Sequence, residues 1–593
     1  MGDELTSESF LGIEASVTGR RWLGPGGASE RAGLAISQET GLPEVVARLL
    51  AVNGVSSGEA ESYLAPRLRE LMPDPSCLAD MDAASDRLTH AVVRRERIAI
   101  FGDYDVDGAA SVALLVSWLR DLGLAATIYI PDRIDEGYGP NEPAMRELGA
   151  THDLVVCVDC GTLSHQPVAA ARTAGADVLI VDHHLPSEDL PDAFVVNPNR
   201  RECGSGLGHL CAAGVVFMLL VAANRQLRAR DQFTRMQEPD LMGLLDLVAV
   251  ATVADVTPMI GLNRAFVRQG LAVLAQRARP GLVALADVAR LTAPPTARDL
   301  GFALGPRINA GGRIGAADMG ARLLSTTDPN EASALAQRLD ALNTERRAIE
   351  AAVLDASLTQ AQTRGVDGGL VWAAGEGWHP GVVGIVAARL KERFGRPAVV
   401  IGLADGKGKG SGRSITGIDL GSEVQRLATD GVLLKGGGHR MAAGLTLEAD
   451  RLDEAMEKLN IALTGQGAGE MGPEDLKVLG ALSPGGASID LIGALEAAGP
   501  FGPANPAPRL AFPDVIPTGV RIVGNGHLQV RFSGAGGQIP AIAFGAAETP
   551  LGAAIADAAS TRQPMHVAGR LELDDWGGRR KAKLRLEDAA APT

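Results

Sequence analysis

Aromatic side chains make up only 4% of this 593-residue chain, so its cores must be built from Ala, Val, Leu and Ile. Five cysteines are too few for a disulfide framework at this length, which points to a reducing compartment, the cytoplasm. No apolar run is long enough to cross a bilayer. The longest, "LCAAGVVFMLLVAA" at 210–223, reads as a buried helix, and no membrane association is expected. The opening "MGDELTSESF" lacks the basic and apolar regions of a secretory signal. Positive charge is also short. A net charge of -15 excludes a surface coated with cations for bulk nucleic-acid binding and leaves room only for a local basic groove. The Gly-rich "GKGKGSGRS" at 406–414 looks like a phosphate cradle, yet no G-x-x-x-x-G-K-[ST] is present, so nothing indicates ATP use. Cys157 and Cys160 form a C-x-x-C with no second pair to complete a zinc site. They sit in a strand pattern, where positions three apart point to opposite faces.

The chain is too long for one core, and its pattern changes along its length. Residues 1–90 read as a helical, turn-rich segment. Over 91–327, "RIAIF", "ATIYIP", "DLVVCVD" and "ADVLIVD" alternate with helical stretches, which predicts a parallel sheet covered on both faces. Residues 328–366 read as one long helix. Asp328 and Glu331 fit a capping box, and Leu335, Leu339, Leu342, Ile349 and Val353 form one stripe on a rod of roughly 50 Å. A second, smaller α/β part spans 367–470. The tail, 471–593, holds the hairpin "VRIVGNGHLQVRF" and further alternating strands, which suits an all-β barrel of the OB type.

Four clusters share one style, an apolar stretch followed by carboxylate or imidazole. They are Asp103, Asp105 and Asp107; Asp159; Asp182-His183-His184; and Asp255. Three follow predicted parallel strands at their C-terminal ends, the edge where open α/β sheets bind ligands. Taken singly, each aspartate reads as a helix cap or a turn residue. Together they read as a cation site, because converging carboxylates repel and resist ionisation unless positive charge sits among them. Asp-rich sets with one or two His suit Mn²⁺ or Mg²⁺ better than Zn²⁺, and so many carboxylates suggest two ions. Two ions about 3.5–4 Å apart can clamp a phosphoryl group and activate water.

"DYDVDG", "VDCGT", "VDHH" and "ATVADV", in that order, resemble the motifs of the DHH phosphoesterase superfamily. "GWHPGVVGIVAARL" and "GGGHRMAAG" are similar to its associated substrate-binding domain. "NAGGRIG" and "GPFGPANPAPRLAF" narrow the resemblance to the RecJ family of single-strand-specific 5′→3′ exodeoxyribonucleases. The resemblance runs from about residue 40 to the end. It implies a nuclease that uses two Mn²⁺ or Mg²⁺ ions, releases 5′-mononucleotides and acts in DNA repair and recombination. It implies metal ligation by Asp105, Asp107, Asp159, His183 and Asp255, with Asp159 bridging. It also puts His184 on the scissile phosphate, and Asp103 as a further ligand or supporting group. Many relatives carry His where this chain has Phe101, so one ion would have fewer protein ligands. Single-strand-binding protein and a helicase are expected partners, and a monomer is the expected state.

On the substrate side, Arg313 suits bidentate phosphate contact, with Asn309 beside it. Arg413, His439 and Arg440 are candidates for gripping nucleotides, and the Gly436, Gly437 and Gly438 backbone can approach a phosphate closely or simply turn. Lys581, Lys583 and Arg585 alternate onto one strand face, which suits a single strand's backbone, although by itself the pattern reads more simply as a solvated edge. Two other readings stay open: a DHH phosphodiesterase of short oligonucleotides or cyclic dinucleotides, and a non-catalytic DHH replication scaffold. With few aromatics, phosphate contacts should dominate. Affinity for single-stranded DNA is therefore expected to fall steeply between about 50 and about 200 mM salt when measured by anisotropy. A flat salt response would contradict this.

Overall fold

The run Ile98–Gly102 (β1) is buried at every position, as a strand covered on both faces must be. The computed structural model describes residues 5–133, 135–470, 472, 474–574 and 580–592. Parallel to β1 lie Ala126–Tyr129 (β2), Leu154–Val158 (β3), Asp177–Val181 (β4) and Phe194–Val196 (β5), in the order β2-β1-β3-β4-β5. The first four match the sequence expectation; β5 is an addition. Alternate side chains serve two cores. Ile98, Ile100, Val156 and Val158 join the core with helices Val106–Asp121 (α1) and Ala212–Ala229 (α2), while Ala99, Phe101, Val155 and Cys157 face the opposite side. In this strand order the chain leaves β1 toward β2 and later returns on the other side to β3. The switch point thus falls between the C-terminal ends of β1 and β3.

Cys157 and Cys160 both join the second of these cores, instead of pointing to opposite faces. Asp159 between them has φ 59, and this left-handed turn folds Cys160 back to the side of Cys157. Burial pushes the Cys157 thiol up to about 12, so it packs as a small apolar side chain.

Helix Leu245–Ala254 (α3) and helix Gly305–Ile314 (α4) precede the long helix Pro329–Arg364 (α5). Asp328 caps α5 by accepting from the Asn330 N–H at 2.8 Å. Glu331 does not complete a capping box; it accepts from the Thr326 hydroxyl and pairs with Arg322. Leu335, Leu339 and Leu342 bury into the first core, and Val353 and Ala361 into another shared with Pro380–Phe394 (α6). One helix thus carries both α/β parts. The second sheet has the order β9-β10-β8-β7-β6, from Val371–Glu376 (β6), Ala398–Ala404 (β7), Lys407–Arg413 (β8), Lys435–His439 (β9) and Ala442–Glu448 (β10). The Gly-rich stretch is the central strand β8. A Cβ on Gly408, Gly410 or Gly412 would come within 3 Å of Ile401 or Leu420 side-chain atoms, so these glycines make room for large neighbours and cradle no phosphate.

Residues 1–67 and 472–593 form a unit of their own, apart from 68–471. In it, Leu510–Val523 (β11), His527–Gly534 (β12), Gly537–Ala543 (β13), Met565–Asp574 (β14) and Lys581–Ala590 (β15) close into a five-stranded barrel through the β11–β14 pairing. The N-terminal segment, expected to be helical, also contributes strands Leu5–Ser9 and Trp22–Pro25. Its amphipathic helix Glu44–Val52 buries Val46 and Leu49 in the barrel core, a partner that periodicity alone cannot name. The fully buried Trp22 donates its indole N–H to buried Asp588 on β15 at 2.9 Å. Trp22→Ala is expected to cost about 3–5 kcal/mol of this unit's stability, read from thermal unfolding. An unchanged melting curve would show that the N-terminal segment does not support the barrel.

Candidate metal centre

Asp103 directly follows β1, Asp159 follows β3 and Asp182 follows β4, so three neighbouring strands deliver carboxylates to one edge. Asp105 is the N-cap of α1, accepting from the Asp107 and Gly108 N–H groups at 2.8 and 3.1 Å. A Cβ on Gly108 would stand 2.4 Å from the Asp103 carbonyl oxygen, so only glycine lets α1 start this close to β1. Asp107 points at the N-terminus of α2, where its two oxygens accept from the Ala212 and Ala213 N–H groups at 2.7 and 2.8 Å. Asp255 ends α3, and Val256 beside it holds φ 58, a strained conformation for a β-branched residue.

These elements bring the predicted side chains together. His183 Nε2 lies 3.4 Å from Asp159 Oδ1, 3.7 Å from Asp107 Oδ2 and 3.8 Å from Asp255 Oδ2. Three triads each place their ligand atoms within 4.8 Å of one another: Asp103-Asp105-Asp159, Asp159-His183-His184 and Asp107-His183-Asp255. Asp159 is common to the first two and His183 to the last two. Burial, then the Asp105 charge, pushes the Asp103 carboxyl up to about 8. Burial, then Asp107 and Asp105, does the same to Asp255. Asp159 is raised by burial and by the Asp107, Asp105 and Asp103 charges, and Asp107 chiefly by burial. Asp103 Oδ1 and Asp159 Oδ1 are buried without a hydrogen-bond partner. Orphaned carboxylate oxygens facing one another, with imidazole beside them, are the donor set that hard divalent cations satisfy. Phe101 offers no ligand atom; its ring is fully buried and stacks on Tyr129 at 5.2 Å.

The geometry gives Asp182 a role of its own and adds residues that carried no motif. Asp182 turns inward, accepting from the Thr162 hydroxyl at 2.6 Å, from the His183 N–H at 2.7 Å, and holding His184 Nδ1 at 2.8 Å. Burial disfavours charge on His184, yet the hydrogen bond to Asp182 and the surrounding carboxylates raise it to about 9. Tyr138 donates to the Asp159 carbonyl and stands 3.2 Å from His184 Nδ1. Asn197 and Asn199 donate to the carbonyls of His184 and His183. Arg133, over the Tyr104 ring at 5.3 Å, acts electrostatically on Asp103, Arg313, His379 and Arg413. His379 was visible within "GWHPGVVG"; Arg133 carried no motif.

Of the predicted substrate residues, Asn309 is engaged by accepting the Val106 N–H at the start of α1. Arg313 donates to the Gly381 carbonyl at 2.9 Å, tying α4 to α6, and burial lowers it to about 10. Arg413 ends β8; a Cβ on Gly384 of α6 would stand 3.2 Å from its Nη2. His439 ends β9 and Arg440 follows it in the turn to β10, both exposed. Gly437 has open space where a Cβ would be, whereas at Gly436 and Gly438 a Cβ would strike Val424 and Ala442. Lys581, Lys583 and Arg585 belong to the other unit, and the expected basic face meets acid across the strands. Lys581 is in register with Asp574, Lys583 lies 3.7 Å from Asp574, and Arg585 lies 3.5 Å from Glu572.

Comparison with known proteins accords with this layout. Residues 97–252 match the DHH family N-terminal domain, 367–465 the DHHA1 domain and 480–588 the RecJ OB domain. The single-stranded-DNA-specific exonuclease RecJ of Escherichia coli (strain K12) is 39% identical over 84% of this chain and 88% of its own length. The crystal structure of RecJ from Thermus thermophilus in complex with Mn²⁺ superposes with TM-score 0.79 at 29% identity, covering 96% of this chain and 79% of that one. Its Mg²⁺ complex gives 0.72 at 28% identity, covering 96% and 78%.

Carboxyls raised to about 8 keep protons that the unfolded chain releases near pH 4. Stability of the metal-free chain should therefore fall as pH climbs from about 4 to about 8, and a bound cation must displace those protons. Mn²⁺ titrated into metal-free protein is expected to release protons, seen as a calorimetric enthalpy that varies with the buffer. It should also raise the melting temperature more at about pH 8.5 than at about pH 6.5. A buffer-independent enthalpy would contradict this charge distribution.

Proposed function

The chain belongs to the RecJ family of single-stranded-DNA-specific exonucleases, and from that premise we propose that it hydrolyses single-stranded DNA from the 5′ end, releasing 5′-mononucleotides. It would do so in the cytoplasm, in repair and recombination. The observation that carries the reading is Asp159, a buried carboxylate with an unpartnered oxygen, common to two ligand-capable triads.

Asp105, Asp107, Asp159, His183 and Asp255 would hold two divalent cations, Mn²⁺ or Mg²⁺, with Asp103 in support. When bound, the cations supply Lewis-acid polarisation of phosphoryl oxygens and a water that is nucleophilic near neutral pH. The α2 N-terminus keeps Asp107 oriented and favours its anionic form. His184 is favoured in its protonated form by the hydrogen bond to Asp182. It gives Nδ1–H to Asp182 and presents Nε2–H to a phosphoryl oxygen, where it offsets charge gathering in the transition state. Arg133 stands close enough to Arg313 and to Arg413 to lower the proton affinity of both, and Arg313 reaches the N-terminal turn of α6. This is a site for the strand's terminal phosphate. Selection for single strands is steric: one strand, and no duplex, passes between the first sheet's edge and the second α/β part.

With Mn²⁺, 5′- and 3′-labelled strands are expected to yield 5′-mononucleotides from the 5′ end only, with duplex ends resistant. Asp159→Ala should abolish turnover and leave most of the binding. A preference for strands of two or three nucleotides in a chain-length series would favour the oligonucleotide phosphodiesterase instead. Attack on duplex ends at the single-strand rate would reject the steric selection.

A further inference from the structure

We propose that Phe302 forms a nucleobase-stacking subsite, a place outside the metal centre where the chain holds its substrate strand. The proposal rests on the exonuclease reading above. Aromatic side chains are scarce in this sequence, and most of them are buried or half-buried among the described residues. Phe302 is 74% exposed, more than any other large apolar side chain among the described residues.

Its backbone explains why it points outward. Leu300–Leu304 is a π-helical turn, in which the Gly305 N–H bonds back five residues to the Leu300 carbonyl. Leu300 and Leu304, one turn apart, are both fully buried, and Phe302 between them is carried to the other side. The turn runs directly into α4. Counting from Phe302, Pro306, Asn309 and Arg313 follow at four, seven and eleven residues, which places all four on one helix face. The buried face holds Leu304, Ile308 and Gly311. Asn309 touches the first residue of α1, and Arg313 lies near enough to Tyr104 and Asp105 to feel their charge. The helix face that borders the metal centre therefore continues for two turns, roughly 10 Å, and ends at an exposed phenyl ring.

The turn is also braced from the metal side. A Cβ on Gly301 would stand 3.3 Å from Val253, and one on Gly305 3.3 Å from Ala254, the last two residues of α3 before Asp255. Phe302 is thus set on a scaffold shared with the site, about three nucleotides beyond Asn309 at duplex spacing and fewer in an extended strand. An unpaired base presents a flat apolar face that any aromatic ring can cover without regard to sequence. A strand running along the Asn309–Arg313 face brings such a base to Phe302.

The test is anisotropy with the full chain in EDTA, using a fluorescent oligothymidylate in which one abasic residue is walked along the strand. The unmodified protein is expected to lose about five- to hundredfold in affinity when the abasic residue reaches one position. Phe302→Ala should lose a similar factor on the intact strand and become indifferent to that position. Phe302→Trp should retain both affinity and position dependence, which keeps the test decisive if the alanine variant disturbs the turn. With Mn²⁺, Phe302→Ala should raise KM and leave kcat unchanged. Unchanged affinity in Phe302→Ala, or a preserved abasic profile, would overturn the subsite and leave Phe302 to a protein partner. Failure of the unmodified protein to digest single strands would overturn the exonuclease reading instead.

Discussion

Carboxylates gathered in a buried pocket cannot all stay ionised without positive charge between them. Asp103, Asp107, Asp159 and Asp255 meet that constraint at the edge of a parallel sheet, and without a cation all four are pushed toward their protonated forms. The arrangement is stable only as a proton-holding cluster or as a cation-holding one. Most of the architecture around it reads as a means of keeping these side chains in place while they lack partners.

The scaffold does this with backbone groups and buried hydrogen bonds. The α2 N-terminus takes both oxygens of Asp107, the α1 N-terminus takes Asp105, and Asn309 on α4 holds α1 in turn. Asp182 is the exception among the acids. Burial works against its charge, yet its bonds to His184 and Thr162 keep it ionised well below the usual range, so it anchors one imidazole and offers nothing to a cation. Positive charge sits across from the acids, in Arg133, Arg313 and Arg413. A chain that is acidic overall can thus still receive a phosphate locally.

What the sequence made legible was local. An apolar strand followed by Asp is a pattern within ten residues, so the edge carrying Asp103, Asp159 and the "VDHH" segment could be read directly, as could the long helix and the Asn525-Gly526 hairpin. What it hid was long-range or depended on register. The pairing of Trp22 with Asp588 spans nearly the whole chain. The alternation of Lys581, Lys583 and Arg585 was clear, but that β14 sets Glu572 and Asp574 against them follows only from the strand register. Asp182 looks like its neighbours in sequence and differs only in where its side chain turns. "LGFALGPRI" reads as an apolar helix, and nothing in it foretells the π turn that exposes Phe302.

These buried acids are arranged to hold a pair of divalent ions. Anomalous diffraction at the manganese edge, from crystals of the full chain grown with Mn²⁺, tests this most directly. Two peaks flanking Asp159, both within ligand distance of the aspartate–histidine cluster, are the predicted result. A pocket without anomalous signal, its carboxyls paired through shared protons, would contradict the account.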